Sequence, residues 1–331
     1  MNKKLVAAAL GLAFAAPVFA DSSNVTLYGR IHQTLDHQST DIGGVESGGN
    51  FVVEDASSRF GIKGQEDLGG GLSAIFAYEF GVNTDEVSAA PLSTRHAYLG
   101  LKGSYGLFVI GSQDGGNDSQ APLYNQASLI GSVSNNGGPL TTVGSTTTGL
   151  GQAITREQRV SNSIGYATTI AGVQINARHA LDGTNDQANN TATAVKENDI
   201  RSTEIAATYK IGALTVGGGL QSFDAQQVTQ NALDVSSDIE RVVQGVASYN
   251  FGSFTLGGLV AQKSLYSAAA NGEDSDTEFA LSATLPLSAN SGVFGIYADS
   301  ERNDINSDIT QTQVAYYYDF SKRTRTYVGY N

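Results

Sequence analysis

The sequence predicts an all-β protein, a transmembrane antiparallel β-barrel, from three observations. Segments of about ten residues with alternating apolar and polar side chains recur along the chain, as they do in the strands of membrane barrels. Short and long connections alternate between these segments. After Ala20, no apolar run reaches the roughly 20 residues that a helix needs to cross a bilayer.

The first 20 residues, MNKKLVAAALGLAFAAPVFA, have the parts of a secretory signal peptide. Lys3 and Lys4 form the positive start, residues 5–16 form an apolar run, and residues 18–20 form a cleavage site with small residues. We expect cleavage between Ala20 and Asp21, which leaves residues 21–331 as the outer-membrane barrel. A membrane anchor is the alternative, but the apolar run is too short to span a bilayer.

The composition narrows the class of protein further. Removal of Lys3 and Lys4 leaves 17 basic residues against 32 acidic ones, a net charge of -15. The basic residues are dispersed, so there is no stripe to neutralise phosphates, which argues against nucleic-acid binding. The chain contains no cysteine, so this exported protein must complete its fold without disulfides.

Two segments display the alternation clearly. In residues 277–285 one face carries Phe279, Leu281, Ala283 and Leu285, and the other carries Glu278, Ser282 and Thr284. In residues 173–181 one face carries Val173, Ile175, Ala177 and Leu181, and the other carries Gln174, Asn176 and Arg178. The pattern predicts fifteen strands, near residues 24–37, 51–66, 71–81, 93–103, 106–113, 158–168, 172–181, 201–211, 213–223, 239–251, 253–264, 276–286, 292–301, 309–319 and 324–330.

The lengths of the connections assign a side of the membrane to each strand end. Short connections lie at residues 67–71, 103–106, 170–172, 211–213, 251–253, 287–291 and 320–323. Long polar ones lie between them, such as residues 182–200, 224–238 and 266–275. Outer-membrane barrels have short periplasmic turns and long outer loops, and a soluble β-sandwich, the alternative fold, has no reason to sort its loops in this way.

One connection is far longer than the others. Residues 97–102 and 107–112 form a hairpin through Gly103–Gly106, and a segment rich in Gly, Asn, Ser and Thr then runs to Arg156. A connection of that length is usually functional or disordered. We expect it to fold into the lumen of the barrel and to narrow a water-filled pore.

Aromatic residues near the short turns agree with a membrane interface. Six of them lie on apolar faces beside these turns, where an aromatic girdle is expected. They are Tyr209, Tyr249, Phe251, Tyr316, Tyr318 and Phe320. The general preference of tyrosine for strands is the alternative explanation.

Several short motifs, spread over nearly the whole mature chain, resemble those of the general (non-specific) trimeric porins of Gram-negative outer membranes. They are VTLYGR at 25–30, SRFGIKG at 58–64, EDLGGGL at 66–72, AYLGLKG at 97–103, NSIGY at 162–166 and YDFSKRT at 318–324. Together they are fairly specific, although each motif alone is weak.

The resemblance implies a homotrimer of barrels with about sixteen strands, embedded in outer-membrane lipid and lipopolysaccharide. It implies a third loop folded inward, here about residues 114–157, and a lumen in which arginines face loop carboxylates. Ions and small hydrophilic solutes would diffuse passively through this constriction, with no cofactor. The matching basic residues are Arg30, Arg59, Lys63, Arg95 and Arg159, and the acidic ones are Asp114 and Asp118.

Alternation supports most of these lumen positions independently. Arg59 and Lys63 alternate with Phe60 and Ile62, so lipid contact on one face places both cations in the lumen. Arg30 likewise alternates with Leu27 and Ile31. The alternative for each arginine is a structural pair with a neighbouring carboxylate.

Arg95 does not fit the alternation as well, since it shares a face with Ala97, Leu99 and Leu101. Either the long loop packs against these leucines inside the barrel, or the register changes near Arg95.

The chain also ends at Asn331 with an odd number of predicted strands, whereas a sealed antiparallel sheet needs an even number. We expect that the last strand is missing from this sequence, and a strand hidden from the pattern is the alternative.

Other functions find less support in the residues. The four histidines (His32, His37, His96 and His179) form no catalytic motif, and no cluster has the spacing of a metal site. A substrate-specific channel would carry a ladder of inward aromatics, and the predicted loop offers only Tyr124. A structural or adhesive role for the acidic outer loops, with divalent cations at residues 182–199 or 273–278, stays open. The sequence does not decide whether the pore prefers anions or cations. The negative total charge of the protein favours cations, and the mostly basic lumen residues favour anions.

Overall fold

The structure, a computed structural model, describes residues 24–42, 45–56, 58–85, 92–114, 122–130, 159–181, 202–223, 239–265, 275–302 and 307–330. Seventeen strands lie in these residues. They are β1 (Asn24–Arg30), β2 (Gln33–Ile42), β3 (Val45–Asp55), β4 (Arg59–Gly69), β5 (Leu72–Val82), β6 (Leu92–Gly103), β7 (Gly106–Asp114), β8 (Arg159–Ile170), β9 (Val173–Ala180), β10 (Ser202–Ile211), β11 (Leu214–Phe223), β12 (Ile239–Asn250), β13 (Thr255–Leu265), β14 (Ser275–Pro286), β15 (Ser291–Arg302), β16 (Ser307–Ser321) and β17 (Thr324–Tyr330).

Fifteen of these strands form one antiparallel sheet in the order β1, β4 and then β5 to β17, and β2 and β3 form a separate hairpin. Each strand of the large sheet pairs with the next strand that the chain adds to it. This up-and-down order confirms the predicted antiparallel barrel strands, whose bounds agree within two residues from β5 onwards.

Two predicted strands, 24–37 and 51–66, are each divided in the structure, and the prediction of unbroken strands there is wrong. The division occurs near His32, where other hydrogen bonds replace the regular strand pairing. The backbone N–H of His32 donates to Ser58 Oγ at 2.9 Å, and the N–H of Ala56 donates to the His32 carbonyl at 2.9 Å. Beyond this point, β2 and β3 continue as an outer hairpin.

The sheet curls far enough to bring its first and last strands together. Tyr327 of β17 is hydrogen-bonded through its hydroxyl to Nε2 of His32, two residues after the end of β1, at 2.8 Å. The rings of the two residues meet edge to face, with 5.7 Å between their centroids. A flat sheet of fifteen strands would hold these ends far apart, so the sheet has the curvature of a barrel wall.

Successive side chains of a strand alternate between a covered inner face and an exposed outer face. In β14, Ala280 is 1 % exposed and the next residue, Leu281, is 60 % exposed. The exposed face is rich in large apolar side chains, as expected of a surface in contact with hydrocarbon. The six predicted girdle aromatics are all exposed on it. The soluble β-sandwich is wrong for the described residues, because fifteen of their strands form one curved sheet with an apolar outer surface.

The short turns use glycines in a left-handed backbone conformation. Gly69, which ends β4, and Gly70 and Gly71, which follow it, have φ values of 83°, 63° and 80°. Residues with a Cβ rarely adopt these values, so the triple glycine permits the tight turn. Among the described residues, no helix has both the length and the apolar character needed to cross a membrane.

A short piece of the long third loop lies inside the curved sheet. It comprises the helix α1 (Pro122–Ala127) and a 3-10 turn (Ser128–Ile130), which we call the loop segment. The helix contacts β9 to β12, and the turn contacts β12 to β14. The inward fold expected of this loop is therefore present in the part that is described.

Candidate functional site

Two arginines face each other across the first strand pair of the large sheet. Arg30 ends β1 and Arg59 begins β4, and the register places them directly opposite one another. They lie on the inner face, since the neighbouring Phe60 points outward and is 38 % exposed. Like charges in this relation are unfavourable unless a counter-charge lies nearby.

Glu79 of β5 supplies such a counter-charge and is only 4 % exposed. Its Oε1 accepts a hydrogen bond from Arg95 Nε at 2.7 Å and lies 3.9 Å from Arg59 Nε. The same oxygen lies 3.6 Å from His96 Nε2. One buried carboxylate thus lies close to side chains from both β4 and β6. We use the name Glu79 cluster for Arg30, Arg59, Glu79, Arg95 and His96.

A β-bulge in β6 brings Arg95 into this cluster. The register of β5 and β6 pairs Glu79 with His96 and then Phe80 with Thr94, which leaves Arg95 as an extra residue. A bulge of this kind re-aims a side chain relative to the regular alternation. Arg95 and the adjacent His96 therefore both reach the Glu79 carboxylate.

The bulge also decides between the two explanations for the position of Arg95. Leu99 is 62 % exposed and Leu101 is 42 % exposed, both on the outer face of β6. The idea that the long loop covers these leucines inside the barrel is therefore wrong. The register changes between the leucines and Arg95, as the second explanation requires.

A second carboxylate lies near Arg30 at the outer end of the cluster. Asp55 ends β3 and is close enough to attract Arg30 electrostatically. Its Oδ1 accepts a hydrogen bond from Thr84 Oγ1 at 2.6 Å, and the carboxylate also accepts one from the Ser58 backbone. Nη2 of Arg30 donates to the carbonyl of Ala56 at 3.2 Å. This part of the wall thus holds three guanidinium groups and two carboxylates.

His32 lies beside the cluster and connects it to the last strand. It lies between β1 and β2, with Nδ1 at 3.5 Å from Arg30 Nη2. Its hydrogen bond to Tyr327 joins the two ends of the sheet.

Lys63 lies on the same inner face as Arg59 but farther along β4. Its ammonium group sits over the ring of Tyr28, 5.5 Å from the ring centroid. Four residues of strand separate Lys63 from Arg59, which corresponds to roughly 13 Å. The structure brings Arg30, Arg59 and Arg95 together and leaves Lys63 outside that group.

The remaining predicted site residues are not tested by the described side chains. Arg159 begins β8, and its backbone is paired with Asp114 at the end of β7. The side chains of both, and the whole of Asp118, lie outside the described residues, so their role in the constriction stays a prediction. The predicted cleavage site between Ala20 and Asp21 lies outside them as well.

Polar side chains of the wall hold the loop segment. Glu204 Oε1 accepts a hydrogen bond from the backbone N–H of Leu123 at 2.6 Å, and Arg178 donates to the other oxygen of the same carboxylate. Gln244 Nε2 donates to the Leu123 carbonyl at 3.0 Å. From the loop side, Gln126 Nε2 donates to backbone carbonyls of β10 and β11. These bonds satisfy backbone groups of α1 that the short helix leaves unpaired.

Apolar contacts complete this attachment. Leu123 is fully buried and packs in a cluster with Val242 and other residues of the wall. Ala127 and Ile130 pack against inward side chains of β12 to β15, among them Leu259 and Phe294. The inner face of these strands thus meets the loop segment with both apolar and hydrogen-bonding side chains.

Sequence reasoning missed Glu79 and Glu204, the two carboxylates that organise the inner wall. Glu79 lies within IFAYEF at 75–80, where it alternates with Tyr78 and Phe80. Because Tyr78 and Phe80 face lipid, the alternation places the carboxylate of Glu79 in the lumen. This pattern was sufficient to identify Glu79 from the sequence. Glu204 alternates with Ile205 in the same way. Its contact with the loop segment could not be found from local spacing, because 81 residues separate it from Leu123.

The charges on the inner wall can influence which ions pass through the lumen. Fixed guanidinium groups on one side of a narrow aqueous passage attract anions and repel cations without a tight binding step. Among the residues that the structure describes, no group of three or more histidines and carboxylates is placed to hold a metal ion.

Comparison with known proteins assigns the family. The model of the family described as Gram-negative porin matches residues 6–331. Outer membrane porin protein 32 of Delftia acidovorans is 29 % identical over 329 residues, 99 % of this chain and 88 % of the relative. Major outer membrane protein P.IB of Neisseria meningitidis serogroup B is 28 % identical over 344 residues, 99 % of this chain and 92 % of the relative.

Solved structures agree at the level of the fold. An anion-selective porin from Comamonas acidovorans has a TM-score of 0.65 at 23 % identity, covering 93 % of this chain and 88 % of its own. The trimer form of OmpT, an outer membrane protein of Vibrio cholerae, has a TM-score of 0.60 at 17 % identity, covering 94 % and 89 %. None of these four relatives is named as an enzyme.

The family match and the relatives place the chain in the outer membrane, as a channel for passive diffusion of ions and small hydrophilic solutes. The inward loop segment, the charged inner wall and the apolar outer face agree with that function. The chain belongs to the Gram-negative porin family.

Proposed function

We propose that the Glu79 cluster lines the narrowest part of the channel and makes it prefer anions. The observation that carries this proposal is the gathering of Arg30, Arg59 and Arg95 on adjoining strands, where Glu79 and Asp55 offset only part of their charge. The net positive charge of this wall outweighs the negative total of the protein, because charges more than about 8 Å away are largely screened at physiological salt.

Arg59 is the member of the cluster best placed to act on passing ions. Its side chain is 26 % exposed, whereas that of Arg95 is 9 % exposed and bound to Glu79. Arg95 therefore orients the carboxylate, and Arg59 presents its guanidinium group to the lumen. The predicted residues Arg159, Asp114 and Asp118 complete the proposed constriction, and Lys63 lies on the same inner face farther along β4.

We propose a homotrimer in the outer membrane, with the apolar outer face in contact with lipid and lipopolysaccharide. The family resemblance and the trimer form of the structurally similar OmpT support this assembly. The size of the detergent-solubilised protein, measured by light scattering before and after heating, tests it. A particle with the protein mass of one chain before heating would contradict the trimer.

The experiment for the anion preference compares two substitutions that each remove one positive charge. Arg59→Ser acts in the proposed constriction, and Arg323→Ser, in the exposed turn between β16 and β17, is the matched control. In a planar bilayer with a salt gradient, Arg59→Ser should shift the reversal potential toward the equilibrium potential of the cation. Arg323→Ser should leave the reversal potential near that of the parent protein. Equal shifts for both variants would remove Arg59 from the constriction.

A further inference from the structure

Three glycines lie on the inner face of the wall where the loop segment is attached. Gly217 and Gly219 are on β11, and Gly257 is on β13. They share the inner face with buried residues of the same strands, Gln221 on β11 and Leu259 on β13. A glycine inside a strand weakens it unless a close neighbour requires the missing side chain. At each of these three positions an atom of the loop segment is among the close neighbours.

Gly257 makes room for the backbone of the loop segment. A Cβ atom built on Gly257 would lie 2.8 Å from Ile130 Cα and 2.6 Å from Ser282 Oγ, closer than real Cβ atoms come to other atoms. The Ser282 hydroxyl donates a hydrogen bond to the Ile130 carbonyl. The turn at Ile130 therefore rests on β13 and β14 at a separation that permits no methyl group between them.

Gly217 and Gly219 make room for side chains of α1. A Cβ on Gly217 would lie 2.9 Å from Gln126 Nε2, the amide nitrogen that donates to the Ala207 carbonyl at 2.7 Å and the Gly218 carbonyl at 3.0 Å. A Cβ on Gly219 would lie 2.9 Å from Leu123 Cδ1. Both anchors of the helix therefore occupy space that a larger wall residue would fill.

We propose that Gly217, Gly219 and Gly257 form a glycine seat that sets how closely the loop segment lies against the wall, and thereby the open cross-section of the channel. The inference rests on the function of the chain as a channel. A methyl group at Gly257 meets the backbone of the loop segment and pushes the segment away from the wall, toward the middle of the lumen. At Gly217 and Gly219 the methyl group displaces the end of a loop side chain. The glycines are positioning residues, which act on permeation through the loop segment.

The chain provides a matched control for this inference. Gly258 is the next residue of β13 and points to the outer face, where a Cβ would lie 3.5 Å from Leu281 Cδ2, an ordinary contact. Gly257→Ala and Gly258→Ala thus introduce the same methyl group at neighbouring positions of one strand. Only the first methyl group meets the loop segment.

Single-channel conductance in planar bilayers is the readout. Gly257→Ala should lower the conductance below that of the parent protein, whereas Gly258→Ala should leave it unchanged. Circular dichroism and the mobility of unheated protein in gels confirm that each variant has the parental fold. If Gly257→Ala folds and conducts like Gly258→Ala, the glycine seat is disproved. If the parent protein forms no channel, the proposed function fails instead.

A cysteine pair tests the seat without reference to conductance. The chain contains no cysteine, so Ile130→Cys combined with Gly257→Cys allows only one intramolecular disulfide. The Cβ positions of these residues are 3.0 Å apart, and a small shift of the loop segment away from the wall brings them into the roughly 3.5–4.5 Å range of disulfides. The pair Ile130→Cys with Gly258→Cys is the control. We expect the disulfide in the first pair only, by mass spectrometry of oxidised protein, and its absence there would overturn the inference.

Discussion

Arg95 of β6 donates a hydrogen bond from Nε to Oε1 of Glu79 on β5, at 2.7 Å, and a β-bulge is what brings the two side chains together. Both side chains are less than a tenth exposed, so the pair forms a rigid centre for the cluster. Arg59 and Arg30 are arranged around that centre on the adjoining strands. The arrangement of charges in the Glu79 cluster therefore depends on one buried carboxylate.

Glu79→Gln should make the channel more selective for anions. The substitution removes a negative charge from the cluster and leaves its three arginines in place, so the local field becomes more positive. The reversal potential in a salt gradient should move further toward the anion value. Glu240→Gln, at an exposed position at the start of β12, removes the same charge as a control. An unchanged potential for Glu79→Gln would show that the cluster does not face the ion path.

Lys63→Ser should shift the reversal potential less than Arg59→Ser does. Both residues lie on the inner face of β4, but Lys63 is about 13 Å from Arg59 along the strand, which exceeds the Debye length of about 8 Å at physiological salt. The two variants measured side by side in 0.15 M salt check this difference. A larger shift for Lys63→Ser would place the constriction nearer the short turns than we propose.

A lysine on the outer face should destabilise the folded protein, and a lysine on the inner face should not. Val314 of β16 is 53 % exposed on the outer face, and the preceding residue, Gln313, points inward. Val314→Lys places a charge in hydrocarbon, at a cost of about 2–4 kcal/mol near the bilayer midplane.

Urea unfolding of the protein in lipid vesicles measures this difference. We expect the free energy of unfolding to fall for Val314→Lys and to stay within about 0.5 kcal/mol of the parent value for Gln313→Lys, as is usual for substitutions at wet surface positions. Equal losses for the two variants would contradict the assignment of the inner and outer faces.

Glu204→Ala should destabilise the protein and loosen the loop segment. Arg178 and Glu204 are an ion pair with side chains 2 % and 3 % exposed, and removal of one partner leaves the other charge buried without compensation. Such a loss costs about 3–5 kcal/mol in a dry interior, and penetration of lumen water reduces that cost. Urea unfolding should show the loss, and current recordings should become noisier. Glu240→Ala is the control, and matching stability for the two variants would contradict the anchoring role of Glu204.

The strands could be predicted because alternation is a local property of the sequence. In β14 the outward Phe279 and Leu281 and the inward Glu278 and Ser282 follow directly from the period of two. The same logic placed Arg59 and Lys63 on the inner face. The length of the loops was enough to identify the third loop, although not the helix α1 within it.

Features that depend on contacts between distant segments could not be predicted. The break at His32 follows from hydrogen bonds with Ala56 and Ser58, more than twenty residues away. The bulge at Arg95 follows from pairing with β5, and an alternating pattern carries no mark of an inserted residue. The attachment of Leu123 to Glu204 joins residues from separate parts of the chain.

The reversal potential of the unmodified protein in a planar bilayer, with a tenfold gradient of potassium chloride, tests the central claim most directly. The account predicts single channels whose reversal potential lies between zero and the equilibrium potential of chloride. The reason is that the positive charges of Arg30, Arg59 and Arg95 exceed the negative charges of Glu79 and Asp55 at the constriction. A reversal potential between zero and the equilibrium potential of potassium would contradict this claim.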